Sequence, residues 1–184
     1  MQPMQPIMQS DVHLCTEVPA DVAAISAVTE AAFREQPHSR QTEVQIVEAL
    51  RRAGALSLSL VAHLNGEVVG HVAFSPVTIT GGAPGWYGLG PLSVMPELQG
   101  IGVGKALVWH GLRTMRQQGA AGCVVLGVPA YYGRFGFRST PALRLERAPP
   151  GCFLVRPFER LIPLGTLRYH EAFDLADPSD WTFP

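Results

Sequence analysis

The sequence predicts an α/β (α+β) domain on a mixed central sheet, and three observations carry that prediction. The elements run β-α-α, then a block of β segments, then α-β-α-β-β. Asn65-Gly66 stands between two β-rich runs, the strongest short-range hairpin signal. A long amphipathic helix follows Gly102. After it comes the continuous apolar run CVVLGV, which fits a buried, partly parallel strand.

In chain order, DVHLCTE (residues 11–17) alternates apolar and polar and reads as the first strand. Asp21 stands where an N-cap opens a helix with Val22, Ile25, Val28 and Ala32 on one face. EQPHS breaks that helix. Thr42 and Gln45 have capping-box spacing for a second helix, striped by Val44, Val47 and Leu50 and closed by Gly54. LSLSLVAHL and VVGHVAFSPVTI are the arms of the hairpin. After a loop at 81–85, WYGLGPLSV is a strand interrupted by Gly88, Gly90 and Pro91, so it is expected to be bulged.

The helix after Gly102 buries Val103, Leu107, Val108, Gly111, Leu112 and Met115, turns Lys105, Arg113 and Arg116 away, and ends at Gly119. PAYYGRFGF makes one or two helical turns, and LRLER and CFLVRPF are the remaining strands. No repeat or interdomain linker interrupts the chain. Residues 1–10 read as a flexible leader and 11–184 as one domain, with a C-terminal extension from about residue 160.

Composition bounds the function. Of 184 residues, 47% are apolar and 16% charged, enough to bury a full core. Net charge is −1, from 14 basic and 15 acidic residues, which excludes a broad basic surface for nucleic acid or an anionic membrane. A small anionic ligand needs only a local pocket. Cys15, Cys123 and Cys152 are too scattered for a disulfide framework or a zinc motif and read as free thiols of a reducing cytosol. No apolar run reaches the ~20 residues of a membrane span. The N-terminus lacks the basic and apolar blocks of a signal peptide, so a cytoplasmic location is expected.

The chemistry concentrates in QGIGVGK, residues 99–105. A Walker loop requires a glycine five positions before Gly104-Lys105 and a Ser or Thr after it; Gln99 and Ala106 stand there. A dinucleotide fingerprint spaces its glycines GxGxxG, with an acid ~20 residues on; here the spacing is GxGxG and a glycine turn occupies that place. What remains is glycines that allow close approach and a helix start that presents amides to an anion. A tight turn without ligand fits the glycines equally well.

The spacing of Gln99, Gly100, Ile101, Gly102, Val103 and Gly104 resembles the Q/R-x-x-G-x-G/A signature of the GNAT superfamily of N-acetyltransferases, after a strand ending in PLSVMPEL. About thirty residues on, YYGRFGF resembles the family's second motif. GHVAFSPVTI, GLGPLSV, AYYGRFGF and GTLRYHEAF are similar to a bacterial subgroup of stand-alone acetyltransferases. The resemblance implies a sheet of about six or seven strands flanked by about four helices and splayed between its fourth and fifth strands. It implies acetyl-CoA as co-substrate and no metal. Residues 99–104 would seat the pyrophosphate through backbone amides, and Leu92, Ser93 and Val94 would pair with the pantetheine arm. Lys105, Arg113 and Arg116 are candidates for attracting a 3′-phosphate, or form a solvated helix face.

Acetyl transfer to an amine requires an acid for the leaving thiolate and loss of an amine proton. Tyr132, five residues before Phe137, matches the family tyrosine and is the candidate general acid; Tyr131 is expected to be core or substrate wall. His71, Glu30, Glu35, His38 and Glu97 are considered as the base, alongside a water relay, and none is singled out. Trp86 and Trp109 read as packing, and His170 with Glu171 as structural. The family asparagine after the fifth strand is absent, with Gly127-Val128-Pro129-Ala130 in its place. The expected acceptor is a small-molecule, peptide N-terminal or lysine amine, and a homodimer is an expected assembly. A non-catalytic acyl-CoA-binding or regulatory module is the competing reading.

Overall fold

The computed structural model describes residues 12–36, 39, 41–159 and 161–175, so the leader and His38 lie outside the described residues. Strand β1 (Val12–Thr16) is followed by α1 (Val22–Phe33) and α2 (Glu43–Arg52). Next come β2 (Leu58–Leu64), β3 (Glu67–Pro76), the short β4 (Thr78–Ile79) and β5 (Trp86–Val94). Then follow α3 (Val103–Gln117), β6 (Gly122–Leu126), α4 (Pro129–Tyr132), β7 (Leu143–Leu145), β8 (Phe153–Pro157) and β9 (Gly165–Arg168).

The main sheet has six strands in the order β1-β2-β3-β5-β6-β8, antiparallel throughout except for the parallel pair β5–β6. A second sheet, β4-β9-β7, holds the LRLER segment, which therefore does not extend the central sheet. Neither β9 nor the separation of β4 from β3 is part of the sequence expectation. β9 is only four residues long, and Val77, which divides β4 from β3, is apolar like the strand residues around it.

Asn65 (φ 52°) and Gly66 (φ 85°) both adopt positive φ, as the two-residue hairpin turn requires. The expected caps are replaced. Asp21 makes no cap bond to α1; its Oδ2 accepts the Val18 N–H at 2.9 Å across a tight 3-10 turn. At α2 the Thr42 hydroxyl caps nothing. Ser39 instead accepts the Gln41 N–H (2.8 Å) and donates to Glu43 (2.7 Å). The buried face of α2 is Ile46, Val47 and Leu50, with Val44 only half-buried.

Alternation along the strands places α3 on one face and α1–α2 on the other. Leu60, Val72, Phe74, Leu107, Leu112 and Met115 share the main core under α3. A Cβ on Gly111 would lie 2.4 Å from the Phe74 ring, so that glycine lets helix and sheet meet closely. On the opposite face α1 and α2 cover the β2–β3–β5 half, with Ile25 and Val47 on Val61. The second sheet covers the other half through Val124, Val155, Ile79 and Leu167. The junction between those two covers is where the sheet opens.

Candidate functional site

Strand β5 is paired differently along its length. It lies against β3 from Tyr87 to Val94, with a register shift opposite Val72 and Phe74, but against β6 only at Trp86, Tyr87 and Gly88. Beyond Gly88 the two parallel strands part. Successive residues of an antiparallel strand direct their amides to alternate sides. Met95 N–H donates to Val69 O of β3 at 2.9 Å, so Leu92 and Val94 direct their backbone groups into the opening. The Gln99 side-chain amide donates to Val94 O at 3.1 Å, fastening the glycine turn to this edge.

The opening is one cleft of about 1430 Å³ that crosses the sheet. Its α3 end is bordered by Gln99, Gly100, Gly102, Gly104, Lys105 and Arg134. Gly100 (φ 79°) and Gly102 (φ 105°) hold conformations that side chains resist. The first helical bond of α3 runs from Ala106 N–H to Gly102 O, so the amides of Val103, Gly104 and Lys105 precede any helical acceptor. Together with the helix dipole they make an anion seat, flanked by two exposed cations.

Not every sequence-predicted residue reaches the cleft. Gly100, Gly102, Gly104, Gln99, Leu92 and Val94 border it; Ser93, Ile101 and Val103 do not. Ser93 is buried, pairs with His71, and donates its hydroxyl to Thr29 at 3.1 Å on the α1 side. Val103 belongs to the core and Ile101 is 44% exposed. Of the three helix cations only Lys105 borders the cleft. Arg134, a cation the sequence reading passed over although it sits inside YYGRFGF, stands there too, stacked 5.0 Å over Tyr131.

Tyr131 and Tyr132 both line the middle of the cleft, edge to face with ring centroids 4.9 Å apart. Burial, and then the neighbouring Tyr131, push the Tyr132 phenol well above the ordinary tyrosine range, so it keeps its proton at neutral pH. A Cβ on Gly127 would lie 2.4 Å from the Tyr132 ring. The ring fills the space a side chain at 127 needs. Tyr131 reaches the turn, its hydroxyl 3.0 Å from where a Gly104 Cβ would stand.

A third phenol joins them from β9's end. Tyr169 packs on Gly88, the last residue of β5 paired to β6, and its hydroxyl is buried beside the Leu126 backbone. Burial, and then Tyr132 nearby, raise its pKa also. Tyr169 lies in the GTLRYHEAF stretch, but its place beside β5 follows only from the second sheet that β9 joins.

None of the described candidates for the base borders the cleft. His71 is fully buried, 2.8 Å from Ser59 Oγ through Nε2, and its pKa falls to about 4 through burial. Glu30 pairs with Arg34 at 3.3 Å on the surface, and Glu35 and Glu97 are exposed elsewhere. From other elements the cleft takes Glu43 of α2, Glu146 and Arg147 after β7, Arg168 at the end of β9 and Asp174 beyond it, among Phe33, Ile46 and Phe173. Trp86 is 3% exposed in the second core. Trp109 is 42% exposed, with Phe135 at 5.5 Å and Arg156 stacked at 5.2 Å.

Residues 24–137 match the model of the acetyltransferase (GNAT) family. The chain is 36% identical over 165 residues to the uncharacterized N-acetyltransferase YhbS of Escherichia coli K12, covering 86% of this chain and 96% of that one. It is similar to a GNAT family acetyltransferase from Brucella melitensis solved with acetyl-CoA, at 49% identity and a TM-score of 0.80, over 89% of this chain and 98% of that one. The structure of E. coli YhbS with CoA superposes with a TM-score of 0.82 at 33% identity, over 94% and 96% of the two chains. The split sheet, the glycine turn and these likenesses agree: the chain belongs to the GNAT family of acetyltransferases.

Proposed function

We propose that the chain is an acetyl-CoA-dependent N-acetyltransferase that moves the acetyl group directly to a primary amine. One observation carries the reading: a single cleft is bordered both by the start of α3, whose first amides lack helical acceptors, and by the carboxylates Glu43, Glu146 and Asp174, with Arg147 and Arg168 beside them. Relatives bound to acetyl-CoA and to CoA support the coenzyme assignment. The residues fit it. Within the 99–105 turn the amides of Val103, Gly104 and Lys105 hold the pyrophosphate, since the Gln99 N–H is already given to Pro96 O. Lys105 and Arg134 stand at the mouth, and the open edge at Leu92 and Val94 pairs with the pantetheine amides. Ser93 anchors that edge through Thr29.

The bound coenzyme supplies the thioester. Tyr132 holds the proton that the departing thiolate takes, and an amide of the open edge polarises the carbonyl. Glu43, Glu146 and Asp174 attract an ammonium and accept its proton through water. The apolar walls of Phe33, Ile46 and Phe173 favour an amine on an apolar stem. Tyr169 is the second candidate acid, because its buried hydroxyl also borders the cleft.

A single domain across residues 11–184, a cytoplasmic location and a homodimer belong to the same proposal. No helix among the described residues is long and apolar enough to cross a membrane. Calorimetric titration with acetyl-CoA, then thiol release across a panel of primary amines, tests the reading. Saturable binding near one per chain with amine-dependent release supports it. Binding without release on any amine replaces it with the non-catalytic module.

A further inference from the structure

At the β1 edge of the main sheet, three strand spacings or about 14 Å from β5, lies a second cluster of chemically capable side chains. His13 and Cys15 project from the same face of β1 at alternate positions, and His63 of β2 stands directly opposite His13. One ligand atom from each lies within 4.8 Å of the others. Cys15 Sγ is 3.6 Å from His63 Nδ1. In a tetrahedral zinc site, bonds of about 2.3 Å to sulfur and about 2.0 Å to nitrogen put those two atoms about 3.5 Å apart.

The other nitrogen of His63 supplies an independent observation. Nε2 faces Asp21 Oδ1 at 3.3 Å, and Asp21 is itself held by the Val18 N–H on its second oxygen at 2.9 Å. A carboxylate on the far nitrogen fixes the tautomer whose lone pair, at Nδ1, is turned toward the thiol. Metal-binding histidines are oriented in this way. We infer that His13, Cys15 and His63 form a zinc site, with Asp21 as the orienting carboxylate and solvent in the fourth position. One thiolate with two imidazoles is a donor set suited to zinc rather than to calcium or magnesium. The ion would tie β1 to β2 and, through Asp21, to the start of α1. It takes no part in acetyl transfer.

The test uses the full chain after treatment with a chelator. Titration with zinc chloride is expected to show one ion per chain, and cobalt(II) to give a thiolate-to-metal charge-transfer band in the near ultraviolet. Cys15→Ser should abolish that band and weaken zinc by about tenfold or more. His13→Gln, at an exposed edge position that the fold does not depend on, should weaken zinc likewise. Asp21→Asn should keep the band but lower affinity by roughly 10- to 100-fold. Coenzyme A affinity should stay unchanged in all three, which separates this site from the transferase reading. No saturable zinc binding by the stripped chain overturns the inference. Zinc binding that neither Cys15→Ser nor His13→Gln weakens overturns it too.

Discussion

The two ends of the cleft are built by opposite strategies. At the α3 end, one continuous stretch of chain, residues 99–105, supplies the wall apart from Arg134, and the working groups are backbone amides. At the other end the wall is assembled from α1, α2, the turn after β4, the segment after β7, and β9 with the turn beyond it, and the working groups are side chains. A seat made of backbone depends on conformation and tolerates any residue that can adopt it. A pocket made of side chains from distant segments can change its chemistry at each position independently. The first strategy suits a ligand shared across a family, and the second suits a partner particular to one chain.

Breaking the backbone end should have the largest effect. Gly102→Val places a branched side chain at φ 105° and at the anion seat, so acetyl-CoA affinity should fall by about 100-fold or more. The backbone strain alone costs roughly 1–3 kcal/mol of stability. Gly119→Val, at φ 84° beyond the far end of α3 and open to space, carries comparable strain away from the cleft. It should lower the melting temperature similarly and leave affinity intact, as calorimetry on folded samples would show. Equal affinity losses in both variants would remove the pyrophosphate assignment.

Between the ends stand the phenols. Tyr132→Phe should lower kcat by roughly 100-fold while acetyl-CoA affinity changes little, because an acid acts only as the thiolate leaves. Tyr169→Phe should do less, since its ring position on Gly88 is kept. If the order reverses, Tyr169 is the acid and Tyr132 is wall. At the side-chain end the effect shrinks again. Glu43→Gln, Glu146→Gln or Asp174→Asn each removes one partly solvated charge, so KM for the amine should rise about fivefold with KM for acetyl-CoA unchanged. A rise in both constants would mean that the two ends are not independent.

The same contrast governs what could be read before the fold was known. The glycine turn, the hairpin at Asn65-Gly66 and the face of α3 are local: spacing and conformational preference settle them within a few residues. The bulge and open edge of β5 were foreshadowed by Gly88, Gly90 and Pro91. Tyr169, Glu43, Glu146 and Asp174 reach one cleft from α2 and from segments around the second sheet, whose short strands leave almost no periodic signal. Ser93 was assigned to the coenzyme with its neighbours, but strand alternation turns it to α1. Arg134 lies within YYGRFGF, but an exposed arginine there has the same spacing whether it faces solvent or the cleft, and only the stacking over Tyr131 in the fold places it at the cleft.

The smallest effect on activity is expected from a third region, on neither end. His71 lies in the sheet interior in a chain running Arg51–Glu17–Ser59–His71. Burial opposes ionisation of Glu17, but hydrogen bonds from Arg51 and Ser59 overcome it and hold the carboxylate below its ordinary range. Ser59 donates to Glu17, so it accepts from His71 Nε2–H, and the imidazole is neutral. Unfolded, that imidazole takes a proton near pH 6.5; folded, only near pH 4. Between those values the unfolded chain binds more protons, so stability falls as pH falls from 6.5 toward 4, by about 2 kcal/mol at pH 5. Thermal melts at pH 7 and pH 5 should therefore differ by several degrees, and His71→Gln should flatten that slope while losing stability at pH 7. The acid limb of kcat should not move in the same variant, because His71 touches no part of the cleft. If that limb shifts while the melting slope stays, the proton His71 carries belongs to the reaction and not to the fold, and the base of the transferase lies in the sheet interior.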